Sequence, residues 1–358
     1  MVRRAPNASR TRPSVGGQTL GEGGCGRVLT MDELPFKGVA YDVMTLGTTA
    51  GGLRAVGRAR SLRELAAILG MSAVELFATA VYKVSLHVSD SSDEVMRTAE
   101  MLRAVAQLPK SRGAWTTIAR TLPLLQTRDS AFAVALREVH ADADREVLMP
   151  LYARMHGSLF DLRGAIAGPD VLQAVRSVLD ALAVLRDAGV HHRDVKDENV
   201  LWRMVGSKAQ YVLSDFGHLK SRPSQNATAS MRGTEGFMSP LMYGRDKSAM
   251  EQYQSHMLSN VALNADAVWR SYHAPGPGRL SPSQQLEKND LYAVGIMLYE
   301  TFHGPDQGGH PDGVREFADA LIDGSKARGL WTIAAARKRM QLFEKKKVAT
   351  RSNTSVSS

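Results

Sequence analysis

Apolar residues recur at helical spacing in three stretches of the chain. The longest follows Pro169, where Val171, Val175, Val178, Leu179, Leu182 and Leu185 line one side of a predicted helix that Gly189 ends. Ser61-Leu62-Arg63-Glu64 is a capping-box pattern; Leu62, Leu65, Ala66 and Leu69 then form a stripe that stops at Gly70. A second such pattern, Ser91-Ser92-Asp93-Glu94, opens a helix with Val95, Ala99, Leu102, Val105 and Ala106 on one side and Pro109 behind it. Strands are predicted over Phe77–Leu86, Ala131–Leu136 and Val147–Tyr152, and two short apolar runs, Val200-Leu201-Trp202 and Tyr211-Val212-Leu213, have strand character. Residues 1–15 carry Arg, Pro, Ser and Asn without periodicity and read as a disordered arm. Residues 243–286 are rich in Gln, Asn, Ser, Pro and Gly, with a loop at Ala274-Pro275-Gly276-Pro277-Gly278.

Composition narrows the picture. A chain of 358 residues, 44% of them hydrophobic, can bury a sizeable core as two or three domains or one two-lobed domain. The single cysteine excludes an internal disulfide and suits a reducing compartment. The net charge of +9 is spread along the chain, so it reads as a basic solvated surface rather than a nucleic-acid tract. No apolar run approaches the roughly 20 residues that span a bilayer. Met1-Val2-Arg3-Arg4 is not followed by an apolar stretch, so no secretory signal is expected; an Arg/Ser-rich organellar presequence stays open. The tail from Glu344-Lys345-Lys346-Lys347 onward is basic, then Ser/Thr-rich, and reads as a solvated tail or a localisation signal.

The candidate chemistry lies in His192-Arg193-Asp194-Val195-Lys196-Asp197-Glu198-Asn199 and in Asp215-Phe216-Gly217. Two acids and an amide around a short apolar run can hold a hard cation, which takes oxygen ligands, and can position a hydroxyl nucleophile. Read as H-R-D-x-K-x-x-N followed by D-F-G, the pair of motifs resembles the eukaryotic-type protein kinase family. The resemblance implies an α+β, two-lobed fold with ATP between the lobes: a β-rich small lobe over 16–152, with an insertion at about 30–75, and a mainly helical large lobe over 153–343, with an insertion at about 243–286 and reduced last helices. It also implies roles. Asp194 would accept or orient the proton of a substrate hydroxyl. Asn199 and Asp215 would hold Mg²⁺. Lys196 would stand by the transferred phosphoryl group as a point charge.

Upstream, Gly21, Gly23, Gly24, Cys25, Gly26 and Val28 fit G-x-G-x-x-G-x-V and resemble the loop that covers ATP phosphates, with Val28 against the adenine. Cys25 occupies a tip position that is usually aromatic; it is either a small inert side chain or a redox-sensitive one. A second glycine cluster, Gly47-Thr48-Thr49-Ala50-Gly51-Gly52, competes but lacks the spacing. Phe77–Leu86 resembles the V-A-I-K strand, so Lys83 would meet the α- and β-phosphates; Val39-Ala40-Tyr41-Asp42 sits at more usual spacing but offers an acid. Glu100, in the helix after the second capping box, is the expected ion-pair partner of Lys83, with Glu94 assigned to the cap. By resemblance, backbone groups near Met149 to Tyr152, Met149 and Leu151 among them, would meet the adenine edge, with the register left open.

In the large lobe, Gly157–Leu162 resembles the start of its first helix. His191 and His192 are adjacent and cannot share one helix face, so His192 reads as the structural histidine of the catalytic loop. His218–Ser230 resembles an activation loop in which an added phosphate could pair with Arg193. Arg232-Gly233-Thr234 through Pro240 resembles the G-T-x-x-Y-M-A-P segment that receives substrate, with Thr234 expected to bond Asp194 and Lys196. Leu241 replaces the glutamate that follows in the family, which puts the rigidity of that platform in doubt. Asn289–Glu300 resembles the D-x-W-x-x-G helix, with Asp290 capping the catalytic-loop backbone and Tyr292 in place of tryptophan. The expected activity is Mg-ATP-dependent phosphorylation of serine or threonine hydroxyls on proteins, inside the cell, in cytoplasm or nucleus. A pseudokinase scaffold and a small-molecule kinase of the same fold are the rival readings.

Overall fold

The structure is a computed structural model that describes residues 18–23, 26–35, 38–47, 53–84, 88–109, 111–127, 131–139, 148–166, 168–221, 233–244, 246–252, 264–273, 280–302, 313–325 and 329–342. The arm at 1–15, the loop tip with Gly24 and Cys25, most of the second glycine cluster, the activation-loop hydroxyls at 222–230, the Pro/Gly loop and the tail after 342 lie outside the described residues. The chain divides into two compact units. One comprises Met1–Thr45, Leu53–Val95 and Leu125–Arg154; the other comprises Leu46–Gly52, Met96–Leu124 and Met155–Ser358. Among the described residues no helix is long and apolar enough to cross a membrane.

The first unit is built on one sheet. Its strands are β1 (Thr19–Gly23), β2 (Gly26–Thr30), β3 (Tyr41–Gly47), β4 (Arg54–Ala59), β5 (Ala80–Val84), β6 (Leu125–Gln126), β7 (Ala131–Glu138) and β8 (Leu148–Ala153). The order is β1-β2-β5-β8-β7-β3-β4, with β6 also on β7. The glycine-rich hairpin β1–β2 therefore pairs directly with the lysine strand β5, in the register Val28 opposite Lys83 and Thr30 opposite Val81. The long segment between them in sequence forms the hairpin β3–β4 at the far edge of the sheet and the helices α1 (Leu62–Leu69) and α2 (Ala73–Thr79), which pack into the core.

Side chains alternate across a strand, and here the alternation separates core from site. Leu29, Tyr82, Met149, Leu151 and Leu136 point to one face and join Tyr41, Val43, Leu65, Leu69 and Leu76 in a buried cluster. The other face carries Val28, Val81 and Lys83. Local chemistry sets the helix limits. Ser61 caps α1, accepting from Glu64 N at 3.3 Å, and Gly70 ends it at φ 73°. Ser72 and Glu75 form a capping box, each side chain accepting from the other's backbone N–H (3.0 and 3.4 Å). That box draws Phe77 and Thr79 into α2, so the strand predicted from Phe77 begins only at Ala80.

The second unit is mainly helical. Its helices are the distal part of α3 (Val88–Ala106), then α4 (Ser111–Thr121), α5 (Gly168–Asp187), α6 (Ala265–His273), α7 (Pro282–Phe302) and α8 (Val314–Ile322), with further helices over 247–252 and 333–342. The predicted stripe of α5 is its buried side. Helix α7 starts well before Asn289 and is buried all round from Leu286 to Thr301, as a central core helix is. Gly295 lets α8 approach; a Cβ there would lie 2.7 Å from Ile322 Cγ1 and 3.1 Å from Ala318 O. Two small sheets frame the loops: β9 (Gly157–Ser158) with the hairpin β11 (Val200–Val205) and β12 (Lys208–Leu213), and β10 (Val190–His191) with β13 (Lys220–Ser221). After β9 the expected first helix is a single 3-10 turn, Phe160–Leu162.

Candidate active site

In the first unit, Lys83 Nζ lies 2.8 Å from Glu94 Oε2, and the carboxylate is 3% exposed. Glu94, not Glu100, is the acid that meets the lysine. The cause is where α3 begins. Its first helical residue is Val88, so Ser91, Ser92 and Asp93 lie within the helix rather than ahead of it. Glu94 then falls on the buried side with Val95, Thr98, Leu102 and Val105. Glu100 is six positions on, about 240° further round at 100° a residue, and is exposed with Asp93 and Met96. The competing acid, Asp42, is on β3, bonded by Arg58 at 2.9 Å and Arg137 at 2.6 Å. Those guanidiniums, opposing the effect of burial, hold its carboxyl below the usual range.

The expectation for Met149 and Leu151 needs correction. Both sit within the strand ladder, Met149 opposite Leu136 and Leu151 opposite Tyr82, with side chains buried in the core. Their backbone belongs to the sheet. The ladder runs on to Ala153, and Arg154 N still donates to Thr79 O at 2.6 Å.

In the second unit the catalytic-type loop is held by its backbone. Asp290, on α7, accepts from His192 N (3.1 Å) and Arg193 N (2.7 Å). Burial pushes the Asp290 carboxyl up to about 7, against those two N–H bonds. Arg193 is left-handed at φ 73°. Gly233 packs on it so closely that a Cβ would lie 2.5 Å from Arg193 O; no other residue type fits there.

His192 is fully buried. Asp194 N donates to its Nδ1 (3.3 Å), so Nε2 carries the proton and donates to Ser214 O (3.0 Å). Burial lowers its pKa and keeps the ring neutral, and Phe216 stands edge-on to it at 6.2 Å. Ser214 N and Oγ in turn donate to Asn199 O at 2.8 and 2.9 Å. One histidine thus ties the segment with Asp194 and Asn199 to the segment with Asp215. Among the described residues His191 and His192 belong to no metal-binding cluster; His191 Nε2 lies 2.9 Å from Ser283 Oγ.

Asp194 is fixed from both sides. Oδ1 accepts from Thr234 N and Oγ1, each at 2.7 Å. Oδ2 accepts from Asn199 Nδ2 at 2.9 Å and has Lys196 Nζ at 3.9 Å. Asn199 Nδ2 also donates to Asp194 O at 2.8 Å, which turns the amide's oxygen to its other end. Asp215, at φ 62°, accepts from Gly217 N at 3.1 Å. An amide oxygen and a carboxylate are hard donors suited to magnesium. Among the described residues no three acidic, His or Cys side chains gather as a full metal cage, and a magnesium site completes its shell with waters and phosphate oxygens.

Sequence reasoning missed the contacts of two side chains, Tyr152 and Arg163. Tyr152 OH donates to Glu94 Oε1. Arg163 pairs with the fully buried Asp197 and, at 3.0 Å, with Glu300. The acid at position 197, inside the H-R-D-x-K-x-x-N motif, was the available signal for the second.

A family model described as a protein kinase domain matches residues 94–260. A calcium/calmodulin-dependent protein kinase, cmkB, of Emericella nidulans is 35% identical over 97 residues, covering 26% of this chain and 24% of that protein. The type 1B calcium/calmodulin-dependent protein kinase of Rattus norvegicus is 29% identical over 161 residues, 42% of this chain and 46% of that protein. The type 1 enzyme of Caenorhabditis elegans is 36% identical over 87 residues, 24% of this chain and 25% of that protein. The chain spans less than half the length of these curated relatives. Sheet-rich and helical units with these two loops define a two-lobed α+β kinase fold. The matched region, residues 94–260, is similar to the eukaryotic-type protein kinase family.

Proposed function

We propose that this chain is a protein kinase that moves the γ-phosphoryl group of Mg-ATP to serine or threonine hydroxyls of proteins. The observation that carries the reading is the fixing of Asp194 by Thr234, Asn199 and Lys196. Phosphoryl transfer asks little covalent chemistry of a protein; it asks for a positioned nucleophile and neutralised phosphate charge. Asp194 is a carboxylate surrounded by donors, so its conformation is set before a substrate arrives. It would take the hydrogen bond, and then the proton, of the attacking hydroxyl. Lys196 would oppose charge on the transferred oxygens, and Lys83, oriented by Glu94, would meet the other phosphates. Asn199 and Asp215 would hold Mg²⁺, which supplies charge neutralisation on the phosphate oxygens when bound. Thr234 and Lys196 beside the same acid favour serine and threonine over tyrosine acceptors.

The scaffold reading rested on the two insertions, the reduced last helices and Leu241, where the platform glutamate is missing. The platform has a substitute: Asn289 Oδ1 accepts from Ser239 N at 2.8 Å, with Ser239 fully buried. The test is transfer of labelled phosphate from ATP to a generic basic protein by the purified chain. Wild type should label it; Asp215→Asn and Lys83→Met should fall by at least about a hundredfold. Equal labelling by wild type and Asp215→Asn, or none by either, sinks the enzymatic reading.

A further inference from the structure

Lys83 and Glu94 carry opposite charges in a dry part of the first unit. A buried carboxylate has two oxygens and about four lone-pair sites to satisfy. The lysine serves Oε2. We propose that Tyr152 is a positioning residue for the phosphate-contacting lysine, acting through the second oxygen of Glu94; the inference rests on the kinase reading above.

The sheet register brings the three residues together. Val81 on β5 lies opposite Tyr152 on β8, and Lys83 is two residues beyond Val81. Residues opposite each other, and residues two apart, share a face. Tyr152 and Lys83 therefore stand on the same side of the sheet, away from the Tyr82–Leu151 core. Helix α3 presents Glu94 to that side. Its Oε1 accepts from Tyr152 OH and its Oε2 pairs with Lys83 Nζ. Tyr152 is 8% exposed, so water does not readily replace its hydroxyl.

The phenol is suited to this task. It donates a hydrogen bond without bringing a second positive charge, so Glu94 keeps its full attraction for Lys83. It also fixes the rotation of the carboxylate, because each oxygen has a different partner. The ammonium is then held at one orientation. Without the hydroxyl, Glu94 Oε1 loses that donor in a desolvated place, and the carboxylate is drawn to turn toward other donors. Lys83 follows it.

The experiment compares wild type, Tyr152→Phe, Glu94→Gln, Lys83→Met and the Tyr152→Phe/Glu94→Gln double variant, as full chains. ATP dissociation constants and steady-state constants for ATP and protein substrate are measured, with thermal midpoints as a fold check. Tyr152→Phe keeps the ring and should lower kcat/KM for ATP about tenfold, with KM for the protein substrate unchanged. Its effect should vanish in the Glu94→Gln background, a coupling that a merely structural tyrosine does not produce. If Lys83→Met loses activity while Tyr152→Phe behaves as wild type, or if the two substitutions act additively, the role of Tyr152 is wrong and the kinase reading stands. If wild type neither binds ATP nor transfers phosphate, both are wrong.

Discussion

Arg193 and Asp215, at φ 73° and 62°, are the two non-glycine residues with positive φ among the described residues, and each is next to or within the set proposed to do the chemistry. Such conformations cost of order 1–3 kcal/mol each and persist only where neighbours hold them. Asp290 holds the first through two backbone N–H groups. Its own protonation has a testable sign. In the folded state burial raises its pKa to about 7 from 3.8, so between those values the folded chain binds more protons at this site than the unfolded one. This group's contribution is then present below about pH 4 and is lost as pH rises toward 7. Wild type should lose stability relative to Asp290→Asn across that window, measured as the difference in urea midpoints. A constant difference from pH 4 to 7 contradicts it.

At the scale of elements, α7 carries four consecutive polar residues in a buried helix, and each secures a different part of the second unit. Glu287 Oε1 accepts from Ile333 N at 2.8 Å. Lys288 Nζ donates to Leu321 O, Asp323 O and Leu330 O at 2.7, 3.0 and 3.0 Å. Asn289 takes Ser239 N, and Asp290 takes the His192–Arg193 backbone. Four successive positions span about 300° of a helix, so only a helix surrounded by protein can use all of them this way. Two of the four secure the proposed chemistry: the loop with Asp194 and the platform with Thr234. Asn289→Ala removes the acceptor for a buried N–H and should destabilise by about 1–3 kcal/mol. It should also open the segment around Ser239 to hydrogen exchange first; uniform exchange along the chain would contradict that placement.

At the scale of the molecule, each unit has its own buried core, so unfolding is expected in two steps. Calorimetry should give a total enthalpy larger than the van't Hoff value, and a single two-state transition would rule this out. The second unit was the more legible of the two in sequence. His192, Asp194, Asn199 and Asp215 lie in contiguous motifs, and the Asp290 clamp follows from one helix pattern. The first unit was less so, for two physical reasons. The buried side of α3 was legible, but Glu94 was assigned to a cap, because the helix starts upstream of the apparent capping box. The order of strands depends on long-range pairing, which no local pattern encodes. Long-range pairing also hid the contact of the Tyr152 hydroxyl with Glu94, and it engages in the sheet the Met149 and Leu151 backbone that was expected at the nucleotide.

The hairpin β3–β4 has a consequence for anyone trimming the chain to a minimal kinase. It sits beside β7, whose main-chain donors and acceptors it engages, and it puts β4, bearing Arg54 and Arg58, at the outer margin instead. Charged margins resist the strand-to-strand sticking that bare apolar ones invite. Excising the extra segment would uncover Phe132, Val134 and Leu136's strand as a raw seam, and the shortened protein should precipitate even if the residues proposed to meet nucleotide are untouched.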